Sequence, residues 1–401
     1  MNLLKKIWND FRMVAILGII FIGLIVLLLL FALIKGPADK SYQNIENIMK
    51  QAASKYYEDN KGLLPVNIGD VSNVNSDALV AAKYMEPLTK YRKSETCNGH
   101  VEVEKTSDTE YFYQAYLDCG ENYKTEKFSN VINEIPIVTT GDGLYQIGNE
   151  KVFRGQLPNN YVQIDYNLET NANGDAKVDS GSKKQSQNNS SLWRILKIDS
   201  NDLVYLILDT PSTDDYTLWD DSYNVERENN YGINEYGGTN KNSKIYTYVN
   251  DAFDTSSSLH TSLKEYLASF DLCTGKRAKD NTTKNGISEC NIKLKNQIIG
   301  LLPLYEYMRA SLDESCISSL DAQCQNYNYL ASSKESWWTI TASSSNTDYV
   351  YKINYNGKIS EEAAAGRASV RYVVALNKHV LYSKGDGSKD NPYIQIGRAH
   401  V

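Results

Sequence analysis

Histidine is scarce in this chain of 401 residues: four occur, at His100, His260, His379 and His400. None lies in an H-E-x-x-H pattern, and nothing reads G-x-S-x-G, G-x-G-x-x-G or a phosphate-cradling P-loop. The six cysteines include no C-x-x-C pair, which excludes the common zinc modules. Positive charge is short as well. Lys and Arg number 42 against 49 Asp and Glu, a net charge of −7, and no basic stripe or Arg-rich arm stands out. That argues against a nucleic-acid partner. The adjacent carboxylates Asp214–Asp215, Asp220–Asp221 and Glu361–Glu362 point apart on an extended chain, so spacing alone makes none of them an acid/base pair. These absences predict a protein that is not an enzyme, with no cofactor, no catalytic residue and no metal. Asp220 and Asp221 with nearby carbonyls come nearest to a calcium site.

What the chain does have begins with Met13–Ile34, a run of 22 residues without a charge. At about 1.5 Å per residue it matches the roughly 30 Å hydrocarbon core of a bilayer. Lys5, Lys6 and Arg12 precede it, which predicts residues 1–12 on the cytoplasmic side and everything after the span outside. The run is too long for the apolar region of a cleaved signal peptide, and no clear A-x-A site follows. A single-pass anchor in the cell membrane is expected. Residues 1–40 hold five basic and two acidic residues, so the remainder carries −10. Outside the membrane an even cysteine count favours disulfides. Six cysteines allow fifteen pairings; the neighbour pairing Cys97–Cys119, Cys273–Cys290, Cys316–Cys324 is expected.

Along the chain, Ile45, Ile48, Met49, Ala52, Ala53, Tyr56 and Tyr57 recur at helical spacing, with Gly62 placed to end the helix. Residues 101–105 and 111–119 read as a hairpin, and a short helix ends near Met85. Residues 131–140, VINEIPIVTT, read as a linker. Strand signals follow at 191–198 and 203–210. Residues 168–191 are polar and rich in Gly, Ser and Asn, and read as a flexible insert between two strands. The stripe Leu259, Leu263, Tyr266, Leu267 and Phe270 predicts a helix. Residues 293–311 read as strand then helix, and 337–377 as paired strands with an Asn-Gly turn at 354–357. The last six residues, IGRAHV (396–401), equal one reading frame of a common sequencing adapter and are set aside, His400 included.

A membrane helix running into an amphipathic helix, then AAKYMEPL and CNGHVEV…YLDCGENYKT, resembles the N-terminal region of pilins and pseudopilins over residues 41–130. The glycine–glutamate processing signal of that family is absent, since residues 13–34 contain no Glu. The resemblance therefore implies a helix on a small sheet, without implying assembly into a fibre. Residues 141–395, with LWRI, LLPLYEY, WWTIT and RYVVAL, resemble a domain of bacterial surface proteins. That domain is similar in turn to C-type-lectin-like and formylglycine-generating-enzyme-like folds. The implied class is α+β: an anchor, a pilin-like unit and a lectin-like unit. Arg194 and Arg371 are expected in structural ion pairs, with Glu306 or Asp220 as partners.

Tyr is frequent at 30 and Phe rare at 8. Tyr and Asn supply rigid contact area with adaptable hydrogen bonds. The segment 343–357 concentrates them, and the resemblance places it at a ligand face. The expected ligand-binding residues are Trp337, Asn346, Asp348, Tyr349 and Tyr355, with a glycan or protein partner. Trp337 and Trp338 must point to opposite faces of a strand, so one of them can serve as a second core layer or as an exposed platform. A structural role in a cell-envelope or pilus-like assembly is the second expectation.

Overall fold

The computed structural model describes residues 39–165, 190–237, 242–253, 264, 266–313, 328–331 and 335–396. The expected span 13–34, most of the insert 168–191, the pair Cys316 and Cys324, and residues 397–401 lie outside them. No helix among the described residues is long and apolar enough to cross a membrane. The described fold mixes helices with many strands, as an α+β protein does. It divides into two compact units, with the boundary between Tyr123 and Lys124.

In the first unit, helix α1 (Tyr42–Asp59) starts at Ser41, whose hydroxyl accepts from the Asn44 amide. It ends at Asn60, whose side-chain amide donates to the Tyr56 carbonyl at 2.7 Å. Gly62 falls in the following 3₁₀ turn, so Asn60 and not Gly62 ends the helix. Ile45, Met49, Ala52, Ala53 and Tyr57 are buried on one face. They pack on an antiparallel sheet of β1 (Val71–Asn75), β2 (Asn98–Lys105) and β3 (Tyr111–Asp118), ordered β1-β2-β3. A Cβ on Gly99 would come within 2.6 Å of the Met49 methyl and the Tyr116 carbonyl, so only glycine lets helix and sheet approach so closely. The pairing Asn98↔Asp118 brings the flanking Cys97 and Cys119 together in a disulfide, as expected.

The second unit opens earlier than the sequence suggests. β4 (Glu126–Lys127) and helix α2 (Phe128–Glu134) belong to it, with Phe128 and Ile132 in its core. Residues 131–140 are therefore no spacer. Next come β5 (Gly143–Ile147), β6 (Glu150–Arg154), β7 (Tyr161–Asp165), β8 (Ser190–Ile198), β9 (Val204–Leu208) and β10 (Ser212–Leu218). β7 and β8 pair antiparallel, so the insert does join two neighbouring strands. After helix α3 (Lys244–Asp251), Leu259 and Leu263 of the expected helix lie outside the described residues, and its end around Phe270 is instead β11 (Leu267–Ala268) and β12 (Phe270–Cys273). Phe270 and Leu272 are buried while Asp271 faces out, a period of two that tertiary burial selects over the helical stripe. β13 (Lys293–Gln297) pairs with β12, and Cys273 joins Cys290, again as expected.

β14 (Ile299–Leu301) leads into helix α4 (Leu304–Arg309). The last strands are β15 (Trp337–Ala342), β16 (Tyr349–Ile353), β17 (Ile359–Ala363), β18 (Arg367–Val370), β19 (Tyr372–Leu376), β20 (Leu381–Lys384) and β21 (Tyr393–Ile396). Ile396, the first residue set aside, closes β21 opposite Leu381. One sheet runs β10-β18-β15-β16-β17. The larger runs β11-β19-β9-β8-β7-β21-β20-β4, with β14 against β19 and the β5–β6 hairpin against β8. β18 and β19 belong to different sheets and are separated by one residue, Arg371.

Candidate functional site

Both tryptophans of WWTIT are fully buried, because β15 is covered on both faces. Trp338 packs edge-on to Trp219, and its indole N–H donates to the Thr217 carbonyl at 3.0 Å. Trp337 packs edge-on to Tyr307, with the Arg371 guanidinium 5.1 Å from its ring centroid. Trp337 is thus a second core layer, and the exposed-platform expectation falls. Arg371 donates to the carbonyls of Leu208, Asp209 and Leu330 at 2.6–3.0 Å, and burial lowers its pKa to about 10. Arg194 donates to the Asn160 side chain at 2.7 Å and pairs with Asp209 at 3.3 Å; its guanidinium lies over the Tyr161 ring. Neither arginine takes Glu306 or Asp220 as partner.

The other expected ligand residues divide. The Asn234 side-chain amide donates to the carbonyls of Ser343, Asn346 and Tyr349, turning that loop inward. Asp348 is fully buried, accepts from Asn229 at 3.2 Å and lies 3.5 Å from Arg227. Asn346 and Tyr349 are half-buried, while Tyr355 stands out at the Asn354–Gly357 turn. These residues do not form one exposed face. Asp220 accepts from the amides of Ser222 and Ile233, and Asp221 pairs with Lys244, so the two carboxylates do not converge on an ion. Among the described residues the only close acid/cysteine triplet is Glu95–Cys97–Cys119, and its sulfurs are bonded to each other.

A cavity that the sequence did not reveal lies elsewhere in the second unit. It encloses about 430 Å³. Its apolar lining includes Phe270 and Leu272 of β12, Leu302 after β14 and Val373 of β19. One wall is ionic. Lys197, on β8 just past a register shift, reaches Glu150 at 2.6 Å and Glu306 at 2.9 Å. Arg309 reaches the same two carboxylates, each at 2.6 Å. Tyr305 donates to Glu306 at 2.9 Å. Burial pushes the Tyr305 hydroxyl well above its usual range. Burial alone would raise Glu306 too, but Arg309 and Lys197 outweigh it and hold that carboxyl at about 2.

The Cys273–Cys290 disulfide lines the cavity, so the hairpin carrying part of the apolar lining is covalently fixed. The Glu306–Arg309 spacing, i to i+3 on a helix, was the one signal of this wall visible in sequence. Lys197 and Glu150 are too far away along the chain to be linked to it without the fold. Glu150, Glu306, Lys197 and Arg309 are paired with one another in this wall, while Lys293, which lines the cavity, is in none of the ion pairs among the described residues. Compared with protein-family models, with curated proteins and with solved structures, the chain matches none.

Proposed function

We propose that this chain is a binding protein of the cell surface, anchored by Met13–Ile34 with its N-terminus in the cytoplasm. In this reading the first unit is a pilin-like stalk, and the second a lectin-like body that meets a glycan or protein outside the cell. The observation that carries it is that each unit holds its own disulfide, Cys97–Cys119 and Cys273–Cys290. Such bonds persist in oxidising compartments and are rare in the cytosol. The uncharged span and its positive flank supply the matching topology. A helix on a three-stranded sheet and an α+β body with long connections are consistent with the two resemblances.

Protease added to intact cells should release a fragment containing both disulfides, and alkylation before reduction should leave Cys97, Cys119, Cys273 and Cys290 unlabelled. A protected body with free thiols overturns the reading. The second reading, a component of an envelope assembly, is favoured by Leu63, Val66, Ile68 and Val71 of the first unit. They are exposed, lie within nine residues of chain and lead into the edge strand β1. Crosslinking in cells that traps an envelope protein through this segment, with no soluble ligand found, would select it.

A further inference from the structure

We infer that the cavity between β8, β12 and α4 is a binding site for a short peptide with both termini free, about three residues long. The inference rests on the surface-binding reading and gives the body a peptide ligand in place of a glycan. Three observations carry it. The first is size: about 430 Å³ falls in the range of small-molecule sites, roughly 300–1,000 Å³.

The second is where charge is left over. Glu150, Glu306 and Lys197 line the cavity and are closed into a neutral quartet by Arg309, which does not line it. Two lining charges of opposite sign remain outside that quartet. Asp199 is in no ion pair among the described residues; it accepts from the amides of Asn201 and Leu203 and from the Tyr205 hydroxyl at 3.1 Å. Lys197, the cation over the Tyr205 ring, is held by Glu150 and Glu306. Lys293 is likewise in no ion pair, and Asp271 is taken by Lys295. The Lys295 hydrogen bond holds the Asp271 carboxyl below its usual range and Lys293 adds to the effect, so one acid there faces two lysines. A ligand that fills the cavity with a single charge leaves the other protein charge covered without a partner, and a neutral ligand leaves both so. A zwitterion answers both.

The third is the spacing. Tyr205, the donor to Asp199, packs on Phe270 at the start of β12, with ring centroids 5.6 Å apart. Lys293 is the register partner of Cys273, at the end of β12. Three steps of strand, about 10 Å, separate those two positions. A single amino acid carries both charges on one residue and is too short, whereas three extended residues span about 10 Å. Phe270, Leu272 and Val373 offer apolar surface to the peptide's side chains. The side chains of Asn201, Ser269 and Asn296 border the cavity, make no hydrogen bond to another described residue, and can donate to and accept from its amides. The peptide's ammonium goes to Asp199 and its carboxylate to Lys293.

The test uses the full chain in lipid nanodiscs and isothermal titration calorimetry. The tripeptide alanyl-leucyl-alanine with free termini is compared with its N-acetylated, C-amidated and doubly capped forms and with free leucine. The free tripeptide should bind at millimolar concentration or below. Acetylation and amidation should each weaken it about fivefold, the worth of one partly exposed ion pair, and leucine should bind at least about fivefold more weakly. Two variants assign the ends. In Asp199→Asn, a near-isosteric change, the acetylation penalty should vanish and the amidation penalty persist. In Lys293→Gln, at an exposed position, the reverse should hold. A merely structural role would leave both penalties in place. Unchanged melting and intact disulfides show that each variant is folded, and Lys293→Gln decides alone if Asp199→Asn is not.

The inference is overturned if the doubly capped peptide or leucine binds as tightly as the free tripeptide, or if a penalty is unchanged in its matching variant. It is also overturned if no peptide binds at millimolar concentration. Any of these in a chain whose body is protease-accessible and disulfide-bonded leaves the surface-binding reading standing. Free thiols and a protected body would sink that reading instead.

Discussion

Replacing Glu306 by glutamine preserves shape and deletes one charge from the buried quartet. Glu306 accepts from Lys197 at 2.9 Å, from Tyr305 at 2.9 Å and from the Arg309 Nε at 2.7 Å. A glutamine can accept on one side only; its NH₂ then meets a cation, donor against donor. Two routes give the cost. Removing one partner of a buried ion pair costs about 3–5 kcal/mol. Proton linkage gives a similar figure, because a carboxyl held at about 2 rather than the ordinary 4.5 contributes about 3 kcal/mol at neutral pH.

Glu150 still pairs with both Lys197 and Arg309 in the variant, so the lower figure applies. For a unit of this size about 3 kcal/mol lowers the melting temperature by about 6–12 °C. Tryptophan fluorescence reads it, since four of the five tryptophans, Trp193, Trp219, Trp337 and Trp338, lie in the second unit and only Trp8 lies outside it. The sign of the pH dependence follows. A folded pKa below the unfolded one stabilises the fold above pH 4.5, and that stability is lost as pH falls from 4.5 toward 2. The gap between wild type and E306Q should therefore be constant near neutrality and close in acid. A loss under about 1 kcal/mol, or a gap that does not narrow below pH 4.5, refutes the account.

Three further changes probe other parts of the frame. Trp337→Ala should cost about 3–5 kcal/mol in urea unfolding, as large aromatic truncations in a packed core do; a surface-like loss would restore the platform idea. Cys273→Ser with Cys290→Ser opens a loop of sequence separation 17 and should cost about 3 kcal/mol, with hydrogen exchange rising in β12 and β13 but not in the first unit. Exchange spread evenly over the chain would contradict two independently stapled units. Arg371→Lys should be poorly tolerated, losing about 2 kcal/mol or more. A single ammonium cannot fork to three carbonyls as the guanidinium does, and a silent Lys variant would show that charge alone suffices there.

How far the fold could be read from sequence depended on how local its cause was. The hairpin of β2 and β3, the Asn354–Gly357 turn and helix α1 were all legible, since each is set by neighbouring residues. Gly357 takes the positive φ that the turn requires. The β12 strand was not, because Leu267 and Phe270 fit a helical stripe until the core selects period two. Helix α2 was too short to show a repeat, with Phe128 and Ile132 its only large buried apolar side chains. The ionic wall draws on residues 150, 197, 306 and 309, and nothing local marks Lys197 as inward-facing. Asp348 and Trp337 were found as special residues, Trp337 with a second core layer as one of its two expected roles. Both are special because they are buried.

The tyrosine bias can now be divided by cause. Part of it builds the core where phenylalanine might have served, and at three positions there the hydroxyl has a definite partner, whereas the buried Tyr236 hydroxyl has none among the described residues. Tyr307 donates to the Gly357 carbonyl at 2.5 Å, Tyr329 to that of Ile195 at 3.2 Å, and Tyr145 to that of Gly141 at 2.6 Å. The buried Gly357 carbonyl gains a donor that phenylalanine cannot supply, whereas the Ile195 carbonyl also accepts from the Asn160 amide at 2.6 Å and Gly141 is exposed. Part of the tyrosine content is thus accounted for by the core before any ligand is considered. Other tyrosines are half-buried, and a few stand at the surface. Tyr216, Tyr223, Tyr231 and Tyr355 are more than half exposed. Tyr223 and Tyr231 flank the Asn224↔Asn229 bridge, a loop also held by the Asn224 amide on the Gly232 carbonyl. Composition alone could not separate these populations. Burial does, and it moves the search for a recognition surface from Trp337 to the cavity rim and to these four rings.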